Sequence, residues 1–147
     1  MQGKKLKKVV SIFIVKNNRV LLQLRDENKK ISFPGHWGVI SGEILVNDFS
    51  PLEAAKREIK EELSISNIRN LKFVETFLDR KNENILHYVF RLQMEFTHKI
   101  ILNEGIEFNF FSKQSFNKGF KFSKSLRKNC KIVKIFFMKK FFFKLVI

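Results

Sequence analysis

The chain has 147 residues, 44% of them hydrophobic, enough for one domain with a core of its own. A single cysteine, Cys130, excludes an internal disulfide and a multi-cysteine zinc site, and it fits a reducing compartment. The formal net charge of +15 is unevenly placed: residues 1–112 hold 18 Lys and Arg against 14 Asp and Glu, while residues 113–147 hold 11 and no acid.

Near the start, "VVSIFIV" (9–15) and "VLLQLR" (20–25) are apolar, partly β-branched runs split by "KNNR", a hairpin signal. Lys4, Lys5, Lys7 and Lys8 before the first run imitate a secretion signal. No small-residue cleavage site follows, and a second apolar run comes directly after, so the run reads as a strand and the protein as cytoplasmic. No stretch reaches the length of a membrane span. Residues 26–36 form a loop punctuated by Pro34-Gly35, and "WGVIS" (37–41) is a short strand. Residues 42–50 are irregular.

Ser50-Pro51 opens a helix, with Ser50 as N-cap, Pro51 at the first helical position and Glu53 completing a capping-box pattern. Leu52, Ala55, Ile59 and Leu63 fall on one stripe at helical spacing, and Ser64 ends the helix. Further strands are expected at 71–78, 85–96, 98–102 and 106–112. A second amphipathic helix can be drawn from Ser123 through Leu126, Cys130, Val133 and Phe137. Strands on both sides of one central helix indicate a mixed α/β sheet.

The central helix carries an acidic cluster in a basic protein. With Leu52 at zero and 100° per residue, Glu62 falls near about −80°, Glu58 near about −120° and Glu61 near about 180°. The carboxylates form an arc beside the apolar stripe. Like charges three and four residues apart repel, and they sit where the helix dipole disfavours anions. Arg57 reaches Glu61 at i+4 and Glu53 at i−4, which offsets part of this. Such an arc is either a solvated face or a site for a hard cation, which takes carboxylate oxygens and neutralises them.

Around this arc the sequence resembles the Nudix hydrolase family, whose signature is GX5EX7REUXEEXGU with U aliphatic. Gly42, Arg57, Glu58, Ile59, Glu61, Glu62 and Ile65 match, with one residue inserted between Gly42 and Arg57. "LLQLRDENKKISFPGHWG" looks like the stretch that precedes this signature, and "ILNEGIEFNFFSKQSF" resembles a late strand with an acidic loop. The resemblance covers roughly residues 8–116. It implies a single-domain α/β/α sandwich around a mixed sheet, spanning 1–117. It further implies Mg²⁺- or Mn²⁺-dependent hydrolysis of a nucleoside diphosphate linked to another moiety, by attack of water on phosphorus. By the same resemblance Glu58, Glu61 and Glu62 are metal ligands together with the Ser41 carbonyl, and Arg57 orients a glutamate. Glu104 or Glu107 supplies the general base. Arg25 is expected either to meet phosphate or to be an exposed hairpin end, and Phe33, His36 and Trp37 either line a base-binding cleft or, for Trp37, join the core. His87, His98 and Cys130 have no partner spacing that makes them catalytic.

The signature is altered in places. Ser41-Gly42 stands for a glycine pair. The loop glutamate is Asp48 counted forward from Gly42, or Phe49 counted back from Arg57. Leu45 occupies a position that is often Glu, and Ser64 stands for the closing glycine. A working pyrophosphohydrolase is the first reading. A catalytically weak relative that binds a nucleotide or a macromolecular partner is the second. The basic Lys/Phe-rich segment 118–147 is expected to be a terminal helix or tail packed on the same domain. Contact with nucleic acid or an anionic membrane is its other reading.

Overall fold

The structure is a computed structural model that describes residues 3, 5–31, 34–79, 84–95, 98–112 and 114. The helix expected from Ser123 onward, Cys130 and the whole 118–147 segment lie outside these residues, as does Phe33. Seven strands and one α-helix make up the described secondary structure.

Two compact units are distinguished. The first comprises residues 1–14 and 40–103, the second residues 15–39 and 104–147. Strand β1 (Lys7–Lys16) contributes to both.

In the first unit β1 pairs antiparallel with β4 (Ile40–Glu43), with Val9 opposite Glu43 and Ile12 opposite Ile40. It also neighbours β6 (Ile85–Gln93), which pairs antiparallel with β5 (Leu71–Asp79) from Leu71↔Leu92 to Asp79↔Ile85, with a register shift between Phe73 and Glu75. Residues 10–15 of β1 are buried without alternation, the mark of a strand covered on both faces. One buried polar pair crosses this region: Ser11 Oγ lies 3.1 Å from His87 Nδ1.

Helix α1 (Pro51–Leu63) packs on β4. Its start follows the sequence. Ser50 is extended (φ −161°), its Oγ accepts from the Glu53 amide at 3.2 Å, and Pro51 occupies the first turn, where a missing N–H costs nothing. The Glu53 carboxylate pairs with Lys56 at 3.1 Å, so the i−4 partner expected for Arg57 is engaged elsewhere. The buried face also differs from the expected stripe. Leu52 is 36% exposed, whereas Ala54, Ala55, Ile59, Glu62 and Leu63 are buried. The buried face is therefore centred about 70° from Leu52, on the side of the carboxylates. Glu62 lies near its middle, with 5% exposure.

In the second unit β2 (Arg19–Leu24) pairs antiparallel with the end of β1, with β3 (Trp37–Gly38) and, along its length, with β7 (Glu107–Phe111). The β1–β2 turn is Asn17-Asn18, both with positive φ (50° and 58°), the conformation that a two-residue hairpin of matching twist requires. The single strand expected at 37–41 is two: β3 and β4 pair with different partners and part at Val39.

The strand expected at 98–102 does not form. Its backbone donors go elsewhere: the Ile101 amide donates to the Leu63 carbonyl at 3.0 Å, and the Asn103 amide to the Glu62 carbonyl at 2.8 Å. Within the run it is Ile101 that closes the end of a helix, and Asn103, just past the run, adds a second bond there.

Candidate active site

The first unit holds Ser41, Asp48, Arg57, Glu58, Glu61 and Glu62. Arg57 is the hub. A guanidinium has five N–H donors, and here all five are engaged. Nε donates to Asp48 Oδ1 and Nη2 to Asp48 Oδ2, both at 3.0 Å, a bidentate pair. Nη2 also donates to the Glu43 carbonyl at 3.0 Å. Nη1 donates to Glu58 Oε1 at 2.7 Å and to Glu61 Oε2 at 3.0 Å. One nitrogen thus draws two neighbouring carboxylates together and offsets their repulsion. The site is partly shielded: the side chains of Arg57, Asp48 and Glu58 are 24%, 7% and 13% exposed, against 52% for Glu61.

Electrostatics follow from these contacts. The hydrogen bonds from Arg57 hold the Asp48 carboxyl below its ordinary pKa, with the amide of Leu45 (2.7 Å to Oδ2) adding to the effect and desolvation opposing it. The same Asp48 bond, and after it those to Glu58, raise the Arg57 pKa above its already high value. Arg57 is a permanent cation in this site.

Asp48 reaches Arg57 although its side chain is one methylene shorter than a glutamate's. The loop compensates. Leu45 and Asp48 close a turn on themselves, with Asp48 N donating to the Leu45 carbonyl at 3.0 Å, and this brings the carboxylate against Arg57. Phe49, the other candidate for that position, is 99% exposed and Leu45 is 50% exposed.

Gly42 forms the floor. A Cβ placed there would overlap the carboxyl carbon and Oε1 of Glu58. The bare backbone lets the Glu58 carboxylate lie against β4, one residue from Ser41. Glu62 is buried. Among the described residues no three Asp, Glu, His or Cys side chains gather into a metal cluster. The donor set that does converge is two carboxylates on the rim of a carbonyl-bearing strand, which is the oxygen chemistry a hard cation accepts with water completing its shell.

The end of α1 was not legible as part of this site. The last four carbonyls of a helix lack intrahelical partners. Here Lys60 O accepts from Ser64 N at 2.9 Å, Glu61 O from Asn103 Nδ2 at 2.9 Å, Glu62 O from Asn103 N and Leu63 O from Ile101 N. Ser64 sits in the left-handed region (φ 57°), as the missing glycine would, and its Oγ accepts from Asn103 Nδ2 at 2.7 Å.

The second unit holds Arg25, His36, Trp37, Glu104 and Glu107. Trp37 is 7% exposed and meets Phe111 edge-on, ring centroids 4.9 Å apart. His36 Nδ1 lies 2.8 Å from the Pro34 carbonyl. Arg25 is half-buried, and its Nε is a buried donor without a hydrogen-bond partner among the described residues. The Glu104 side chain is exposed; its carbonyl accepts from Gln23 Nε2, while Gly105 turns the chain with φ +82°. Glu107 is exposed on β7.

The NUDIX domain family matches residues 5–128, most of the chain and both units. The chain belongs to the Nudix hydrolase family. Solved structures agree on the fold. MutT, described from Aliivibrio salmonicida and Vibrio cholerae, is 15% identical with a TM-score of 0.67, and the match covers 90% of this chain and 98% of that one. The Nudix domain of Shewanella oneidensis NrtR, solved with ADP-ribose, is 16% identical with a TM-score of 0.60, covering 85% and 82%. The match to a MutT/nudix family protein from Enterococcus faecalis, at 20% identity and a TM-score of 0.62, covers 76% of this Nudix chain and spans 45% of that protein's length. No curated protein matches the chain. No described helix is long and apolar enough to cross a membrane.

Proposed function

We propose that this Nudix protein is a pyrophosphohydrolase that cleaves a nucleoside diphosphate linked to another moiety, with Mg²⁺ or Mn²⁺ held by Glu58, Glu61, Glu62 and the Ser41 carbonyl. The observation that carries this is the Arg57 hub, whose Nη1 holds both Glu58 and Glu61, with the Glu58 carboxylate against the bare backbone of Gly42. A bound divalent cation would draw charge from the phosphate oxygens and acidify the attacking water. Arg57 orients carboxylates and, with every donor engaged, does not itself bind substrate. In the second unit we assign Arg25 a substrate contact, on an Nε without a partner among the described residues, and Glu104 the role of general base, with Glu107 the other choice. ADP-ribose, the ligand of the Shewanella NrtR Nudix domain, belongs to the proposed substrate class.

The second reading, a nucleotide-binding Nudix protein of low turnover, is favoured by one fact. Arg57 already engages both Glu58 and Glu61, and among the described residues no three Asp, Glu, His or Cys side chains form a group that could hold a metal. A Mg²⁺-dependent hydrolysis screen over ADP-ribose, sugar nucleotides, dinucleotides and nucleoside triphosphates separates the two. Turnover that Glu62→Gln largely removes supports the enzyme. Nucleotide binding by the folded protein without turnover of any of them refutes it.

A further inference from the structure

The closing glycine of the signature is Ser64, and three of the four terminal carbonyls of α1 are satisfied by residues 101 and 103. Asn103 takes the two that matter for the site. Its side chain donates to the Glu61 carbonyl at 2.9 Å and its amide to the Glu62 carbonyl at 2.8 Å. These are the main-chain groups of two adjacent proposed ligands. Nδ2 has two hydrogens, and the second goes to Ser64 Oγ at 2.7 Å, so one side chain joins the last helical turn to its left-handed cap. A carboxylate cluster at a helix C-terminus is strained twice, by its own repulsion and by the negative end of the dipole. Arg57 offsets the repulsion at Glu58 and Glu61, and the two Asn103 donors offset the carbonyl charge beneath Glu61 and Glu62.

We infer that Asn103 is a positioning residue of the carboxylate site: it fixes the main chain under Glu61 and Glu62 and thereby sets how tightly the site binds a divalent cation. The inference rests on the proposed metal role of these glutamates. The Asn103 contacts are exposed, so water can replace its side-chain bonds. Its removal therefore loosens the turn without unfolding the protein.

The test is a Mn²⁺ titration of the full chain without substrate, following free Mn²⁺ by electron paramagnetic resonance, beside a thermal melt. Partners that hold metal ligands in place typically carry about 10–100-fold in affinity, so Asn103→Ala should weaken Mn²⁺ binding about tenfold. Asn103→Asp, which lacks the side-chain donors, should weaken it as much or more. Ile12→Val, which trims the β1 core, should lower the melting temperature and leave Mn²⁺ affinity unchanged. Wild-type affinity in either Asn103 variant would make Asn103 a simple cap and overturn the inference. A wild-type protein that takes up no Mn²⁺ would overturn the metal reading itself, and this inference with it.

Discussion

Gly42→Ala separates the site from the fold. A methyl group there overlaps the end of the Glu58 side chain, not backbone, and the φ of Gly42 is not positive. The backbone therefore tolerates alanine, and the flexible Glu58 carboxylate moves instead. The stability cost is the Arg57–Glu58 bond. Both partners are partly exposed and Arg57 keeps Asp48, so the loss is about 1–2 kcal/mol. For a chain of this length that lowers Tm by roughly 2–8 °C. The effect on the carboxylate pair is larger, because Glu58 no longer lies beside Glu61: Mn²⁺ affinity should fall about 10–100-fold. Calorimetry gives the first quantity and Mn²⁺ titration the second. Unfolding at room temperature, or Mn²⁺ affinity equal to wild type, would refute the reasoning, since either outcome means that Gly42 does not serve to seat Glu58.

Further outcomes are expected elsewhere. Asp48 has a depressed folded pKa, so its contribution is present above the unfolded carboxylate value of about 4 and is lost as pH falls through its folded value. Urea midpoints for Asp48→Asn should then lie below wild type at pH 7 and converge with it toward pH 3; a constant gap would remove Asp48 from the acid transition. Ser50→Ala, which deletes the N-cap oxygen, should cost about 1 kcal/mol in chemical denaturation. Ile59 is fully buried, so Ile59→Ala should cost about 2–5 kcal/mol, whereas Phe49→Ser, at a position 99% exposed, should stay within about 0.5 kcal/mol.

What sequence could reveal depended on how local the cause was. The hairpin at Asn17-Asn18 and the start of α1 at Ser50-Pro51 are set by neighbouring residues, and both formed as expected. The run 98–102 has strand chemistry, but its hydrogen-bonding partner is a helix end some 40 residues earlier, which no local pattern encodes. Three of the four residues of the expected stripe on α1, Ala55, Ile59 and Leu63, are buried; Leu52 departs from it for the same reason. Leu52 looks like core, yet its surroundings are set by β4, and the room left at Gly42 turns the acidic side inward. Asp48 and Phe49 compete for the loop position in the sequence, and the aspartate is the shorter of the acids that position could hold. The turn closed by Leu45 restores its reach, and only the three-dimensional path of the loop reveals that. The glutamates were found through charge pattern and resemblance together; Asn103 carries no signal in either.

The hub at Arg57 has a consequence for the order of events during assembly. A helix that gathers Glu58 and Glu61 would ordinarily wait for a metal before it could close. This helix brings its own counter-ion, a guanidinium that stays charged at any pH the protein meets and is anchored from the far side by Asp48. Folding is thereby uncoupled from metal supply. The metal-free protein should therefore melt cooperatively, and a divalent cation bound to the folded state should only add to that melting temperature, as any ligand of the native state does, instead of completing an unfinished structure. Affinity for the proposed metal would then be a difference between two cations, set as much by how firmly Asp48 holds Arg57 back as by the glutamates themselves.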